Sequence, residues 1–245
     1  MIDLKNKTLF IHIPRTGGSE FCNQYYNYIL STNIDVDHYN DYLVGHGAAS
    51  KHFTYKEYIQ FYQFTNLADF NLVSIIRNIY ELVVSSYFQL LQPGKENHGF
   101  YDFAKRTRYG GIEKPQQDPL LFSTWVDYLV RNAEFWKLEG CPRGLEAKTP
   151  YVSMLQAEFL DGQHADCYLI PYEEYNTGVN EWFSTIFDID TDIKTYDDRS
   201  LQRYYDESKY FIPRPMNYKD MYDDRTLSQI RDLFEDEINM FDFKI

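Results

Sequence analysis

Between Leu9 and Phe21 the chain reads LFIHIPRTGGSEF: an apolar run, a proline, a basic residue, Thr, two glycines and Ser, and then a segment of helical period. These are the parts of a turn that binds phosphate. Glycines at 17 and 18 let backbone N–H groups approach an anion closely, the N-terminus of the following helix presents the positive end of its dipole, and Arg15 adds a permanent charge. A second chemical type stands in Gly45-His46-Gly47. Histidine is the side chain whose ordinary pKa suits proton transfer near neutrality, which makes His46 the candidate general base, with a turn-capping histidine as its alternative role. His12 alternates within an apolar run and reads as a hydrogen-bonded core residue. His38, His52, His98 and His164 show no metal-ligand spacing, and no metal is expected.

The elements that must position these groups follow from hydrophobic period. Leu9–Ile13 is almost continuously apolar, as a parallel strand covered on both faces should be, and Phe21, Tyr25 and Ile29 recur at helical spacing after it. Tyr42–Val44 reads as a short strand, and Thr54 with Glu57 forms a capping-box pattern that opens a helix containing Tyr58 and Phe61. Leu72–Ile76 is a further buried strand, followed by a helix with Ile79, Leu82, Val83, Leu90 and Leu91 that Pro93-Gly94 ends. Residues 93–119 lack a period and carry Lys95, Lys105, Arg106, Arg108 and Lys114 against Glu96, Asp102 and Glu113, either a candidate loop over an acceptor or a solvated charged loop. Ser123 or Thr124 is placed to cap a helix through Trp136. Cys167–Ile170 reads as a late strand, and Tyr172-Glu173-Glu174 leads into a helix around Trp182–Phe187. Alternating strands and helices predict an α/β fold with ligands at the carboxyl ends of the strands.

With 245 residues, 44% of them apolar, the chain is long enough for one large domain over 1–245. A formal charge of −13 argues against a nucleic-acid or anionic-membrane surface, so an anionic ligand has to meet a local basic pocket. Tyr is abundant, 23 residues, and suits half-buried packing or the stacking of sugars and bases. Cys22, Cys141 and Cys167 are odd in number and have no ligand spacing, which suits a reducing cytoplasm rather than a disulfide framework or a zinc site. No run reaches the ~18 apolar residues of a membrane span, and no leader pattern opens the chain, so a soluble protein is expected.

Three blocks carry a family resemblance. The loop at Leu9–Phe21 resembles the 5′-phosphosulfate loop, usually HIPKTGGTS, of sulfotransferases that use 3′-phosphoadenosine 5′-phosphosulfate (PAPS). Leu72–Tyr87, LVSIIRNIYELVVSSY, is similar to that family's 3′-phosphate segment, with Arg77, Ser85 and Tyr87 on the matching positions. Asn217–Phe243, NYKDMYDDRTLSQIRDLFEDEINMFDF, is similar to its closing loop and last helix. The resemblance is to carbohydrate sulfotransferases of the Golgi-enzyme and bacterial-relative branch. It implies a P-loop-like three-layer sandwich with a central, mainly parallel sheet, PAPS as co-substrate, PAP (3′,5′-diphosphoadenosine) as product, and an acceptor hydroxyl on a glycan.

The resemblance also implies roles. Thr16, Gly17, Gly18 and Ser19 hold the 5′-phosphate, and Arg15 reaches the bridging oxygen and the sulfuryl group. Arg77 with Ser85 takes the 3′-phosphate, Arg214 is a further clamp, and His46 matches the family's Gly-His segment. Arg77 as an ion-pair residue and Ser85 as a helix filler are the alternatives. The chain departs from the family pattern at Arg15, where Lys is usual, at Glu20, and at Ile79 and Leu82. These departures keep open a second function, a nucleotide- or glycan-binding protein of the same fold without turnover. An ATP- or GTP-handling enzyme is disfavoured, because GxxxxGK[ST] is absent from the loop.

Overall fold

The computed structural model describes residues 1–31, 43–44, 52–62, 67, 69–90, 122–139, 154–188 and 217–245. His46, Arg214 and the loop at 93–119 lie outside the described residues. The chain forms two compact units, one of Met1–Asn78 with Leu155–Tyr196 and one of Ile79–Met154 with Asp197–Ile245.

The first unit is built on a five-stranded sheet with β1 (Ile2–Asp3), β2 (Thr8–Ile11), β3 (Leu43–Val44), β4 (Asn71–Ile76) and β5 (Cys167–Pro171) in the order β3-β1-β2-β4-β5. Pairing of β2 with β4 and of β4 with β5 is parallel, whereas β1 is antiparallel to both β2 and β3. The sheet is therefore mixed, where the family resemblance implies a mainly parallel one. The cause is local: two residues are too few to show a period, and the turn after β1 is built by side-chain bonds. The Asp3 carboxylate accepts from the N–H of Lys5 at 2.9 Å and of Asn6 at 3.0 Å, and Lys7 takes a left-handed φ of 46°.

One face of this sheet is covered by α1 (Gly18–Ser31) and by α6 (Tyr175–Phe187). Phe10, Val73, Ile75 and Ile170 supply the strand side of that core, alternating along β2, β4 and β5. Phe21, Cys22, Tyr25 and Ile29 supply α1, and Tyr175, Val179, Trp182 and Phe183 supply α6 at spacings of three and four. Full burial of Phe21, Trp182 or Phe183 contributes roughly 1.5–3 kcal/mol each. Gly178 lets α6 settle on β5, since a Cβ there would sit 2.7 Å from Ile170 Cγ2. Between β3 and β4, α2 (Tyr55–Tyr62) opens with the capping box that the sequence predicts: Thr54 N–H donates to Glu57 Oε2 at 2.7 Å, and Glu57 N–H donates to Thr54 Oγ1 at 3.2 Å.

The second unit holds α3 (Ile79–Leu90), α4 (Phe122–Glu139), α7 (Asp224–Leu233) and α8 (Glu235–Phe241). Buried residues occur all round α3, Ser85 among them. Trp125 on α4 donates its indole N–H to the Val83 carbonyl at 3.2 Å, and Tyr222 donates its hydroxyl to the Tyr80 carbonyl at 2.7 Å. Asp127 on α4 accepts from Arg225 at 2.9 Å and from Gln229 at 3.0 Å on α7. Two expectations are corrected here. Ser123 and Thr124 lie inside α4 rather than capping it, and the terminal block forms two helices broken at Phe234, not one. Among the described residues no helix is long and apolar enough to cross a membrane.

Candidate anion-binding site

Parallel pairing of β2, β4 and β5 brings their carboxyl ends to one edge of the sheet, the edge at which α/β sheets commonly bind ligands. From β2 the chain continues through His12 to Gly17 into α1, from β4 through Arg77 and Asn78, and from β5 through a 3-10 turn at Tyr172–Glu174. All of these lie in the first unit. The sequence-predicted loop thus stands between a strand end and a helix start, as its composition requires.

The turn is held from several sides. Arg15 has a φ of 68°, a left-handed backbone that costs a non-glycine residue roughly 1–2 kcal/mol. Its carbonyl accepts from the Arg77 guanidinium at 3.0 Å. A hydrogen bond from a charged donor contributes about 1.5–3 kcal/mol, enough to offset that strain. Thr16 is fully buried and its hydroxyl donates to the Ile13 carbonyl at 2.9 Å, so its main chain is what it has to offer an anion. Gly17 has a φ of 91°, and a Cβ there would meet the rings of Tyr172 at 3.3 Å and Tyr175 at 3.4 Å. The Gly17 carbonyl accepts from Glu20 N–H at 3.0 Å and Phe21 N–H at 3.3 Å, which starts α1 at Gly18. Gly18 lies against the His12 ring, and Ser19 is exposed.

Arg77 is 5% exposed, and its guanidinium carbon lies 3.9 Å from the centroid of the Tyr172 ring. Besides the Arg15 carbonyl, it therefore has an aromatic face beneath it, an arrangement contributing about 0.5–2 kcal/mol. Its main chain is gripped by Gln156, the first residue of α5 (Gln156–Leu160). Gln156 Oε1 accepts from Arg77 N–H at 2.8 Å, and Gln156 Nε2 donates to the Arg77 carbonyl at 2.8 Å. Next along the chain, Asn78 N–H donates to the Glu173 carboxylate at 3.3 Å.

Of the sequence-predicted residues, Arg15, Thr16, Gly17, Gly18, Ser19 and Arg77 occupy this one edge. Ser85 is buried in α3 of the second unit, and His46 and Arg214 lie outside the described residues. Sequence reasoning missed Gln156 and Tyr172 as partners of Arg77, and it set His52 aside. Nothing in spacing signals Gln156, 79 residues from its partner. His52 Nδ1 lies 3.0 Å from the carbonyl of His12, whose ring is 4.5 Å from the His52 ring. A carbonyl oxygen can only accept, so Nδ1 carries the hydrogen and, in the neutral ring, the lone pair is on Nε2.

Among the described residues no group of three or more His, Cys, Asp or Glu is placed to hold a metal ion. No family model, curated protein or solved structure matches the chain.

Proposed function

We propose that this chain is a sulfotransferase that moves a sulfuryl group from PAPS to an acceptor hydroxyl, with a glycan as the acceptor class and PAP as the released product. The arrangement supporting the reading is the turn at residues 14–19 between the carboxyl end of β2 and the start of α1, bridged by Arg77 to the neighbouring strand end. In the reaction the acceptor oxygen forms a bond to sulfur as the bond from sulfur to the bridging phosphate oxygen breaks. The acceptor's proton passes to a base, and negative charge grows on the bridge. Positioning and charge stabilisation are the main demands. The turn's N–H groups and Arg15 meet them, and each such preorganised donor is worth roughly 3–4 kcal/mol in comparable oxyanion sites.

His46 remains the proposed base on its sequence context. His52 is a second candidate, because its Nδ1 donates to the His12 carbonyl and the neutral ring then has its lone pair on Nε2. Arg77, Ser85 and Arg214 are proposed for the 3′-phosphate. The proposed fold is a P-loop-like three-layer sandwich, and the three unpatterned cysteines fit a cytoplasmic protein. One observation favours the second reading, a nucleotide- or glycan-binding protein without turnover. Arg77 is already engaged by the Arg15 carbonyl and the Tyr172 ring, so gripping a 3′-phosphate requires it to exchange partners.

Transfer of labelled sulfur from PAPS across a panel of glycan acceptors tests the reading. Arg15→Ala is expected to abolish transfer, and loss of the true base among His46→Ala and His52→Ala to lower turnover by about 10²–10⁴. Tight PAP binding with no transfer to any acceptor selects the binding protein, and equal calorimetric affinity for PAP and 5′-AMP overturns the assignment of Arg77.

A further inference from the structure

We propose that Gln156 is the positioning residue of the anion-binding turn, acting through Arg77. The register of β4 and β5 ends with Ile76 opposite Pro171, and proline has no N–H to extend a ladder. Arg77, one residue further on, therefore meets the end of the sheet with its main-chain N–H and carbonyl still to be satisfied. Gln156 supplies both partners from one amide, at 2.8 Å each, and is itself fully buried. Its side chain stands in for the missing strand.

With its main chain fixed at two points, the origin of the Arg77 side chain is set, and from there the guanidinium reaches both the Arg15 carbonyl and the face of Tyr172. The Arg15 carbonyl belongs to the residue held at positive φ, whose conformation sets the course of the chain into Gly17 and Gly18. The route thus runs from the Gln156 amide to Arg77, from Arg77 to the Arg15 carbonyl, and from there to the shape of the turn. From the proposed function this takes only that the turn binds an anion.

The test is hydrogen–deuterium exchange of peptides covering residues 13–19, in the full chain without ligand. Gln156→Leu removes both of these bonds to the Arg77 main chain, and exchange in the turn is expected to rise by about tenfold relative to the parent. Unchanged exchange in a folded variant overturns the proposal. Gln156→Glu guards against a variant that does not fold. Its ionised carboxylate at pH 8 still accepts from Arg77 N–H but has no hydrogen for the Arg77 carbonyl, whereas the protonated acid, reached as the pH is taken below the ordinary glutamate value of about 4.3, restores both bonds. The charged groups bonded around the clamp, Arg77 itself and Glu173 through Asn78 N–H, are shared with the parent. The variant-to-parent ratio of exchange should therefore fall toward one as the pH is lowered, and a ratio that does not change with pH overturns the proposal. Calorimetry with PAP runs alongside. A parent that fails to bind PAP refutes the sulfotransferase reading, while the exchange ratios still decide the role of Gln156.

Discussion

Replacing Gly18 with alanine puts a methyl group where His12 already is. The new Cβ would sit 2.7 Å from His12 Nε2 and 2.9 Å from its Cγ, with Cδ2 closer still. Ordinary carbon contacts are about 3.5–4.0 Å, so the ring has to move by close to an ångström. It has little room: His12 is 3% exposed, the Phe10 ring lies 5.6 Å away and the His52 ring 4.5 Å away, centroid to centroid. Overpacking of this kind costs roughly 1–3 kcal/mol. The gain in helix propensity from Gly to Ala, up to ~1 kcal/mol in a helix interior, is small at the first residue of α1. For a net cost of about 2 kcal/mol, Tm should fall by roughly 4–8 °C in a chain of this size. Calorimetry on Gly18→Ala, His12→Ala and the double variant separates the clash from everything else. With the ring gone the methyl has space, so the Gly18→Ala penalty should largely vanish in the His12→Ala background, a coupling of about 1–2 kcal/mol. Equal penalties in the two backgrounds refute the reasoning, because the cost then does not come from the ring.

Three further outcomes are expected. Thr16→Val removes the donor to the buried Ile13 carbonyl and should cost roughly 1–2 kcal/mol in urea unfolding, with PAP affinity little changed; the opposite pattern would make the hydroxyl a ligand. Burial pushes the Cys167 thiol up to about 12, so at pH 8 the folded protein should alkylate there with iodoacetamide about 10³-fold more slowly than an open cysteine, as read by peptide mapping before and after urea. Bonds from the Thr226 backbone and side chain hold the Asp223 carboxyl below its ordinary value at the start of α7. A lowered folded pKa means that its stabilisation is complete above the unfolded value, near 3.8, and is lost as the pH falls through the folded one. Asp223→Asn, which caps without titrating, should therefore flatten the acid side of a Tm-against-pH curve.

Local signals were legible in the sequence and contacts between distant segments were not. The course of Leu9–Phe21 could be read because strand, turn and helix there are each dictated by neighbours within a few residues: apolar side chains for β2, glycine at the positive φ of residue 17, a helical period after it. The Thr54–Glu57 capping box is equally local. Ile2–Asp3 was beyond such reading, since its strand exists only by pairing with β2 and β3. Gln156 was hidden for a related reason. A glutamine between Leu155 and Ala157 looks like a surface residue until a strand end 79 positions away requires one donor and one acceptor at the same point. Thr16 was read correctly as part of the turn, but sequence has no means of telling which way a hydroxyl faces. The break at Phe234 is a matter of tertiary packing, where one buried aromatic residue closes α7 and precedes α8.

The proposed polyanionic donor and a net charge of −13 conflict only if charge is counted over the whole surface. At physiological salt the Debye length is ~8 Å, so distant carboxylates are screened while groups in contact with the ligand are not. What matters is the charge at the strand edge itself. There Arg15 and Arg77 stand on the positive side and Glu173, Glu174 and Glu20 on the negative, with Glu173 the one bonded to the strand end. Glu173 is exposed, and its carboxylate takes the Asn78 N–H as an incoming phosphate oxygen would. Displacing it returns a hydrated carboxylate to water at little cost, since exposed ionic contacts are worth ~1 kcal/mol or less. Displacing Arg77 from the Arg15 carbonyl is more costly, because the residue is buried and the left-handed turn leans on it. Of these two groups the Glu173 carboxylate is therefore the easier to displace, so a phosphate competing for the Asn78 N–H leaves the turn intact, whereas one that draws Arg77 off the Arg15 carbonyl does not.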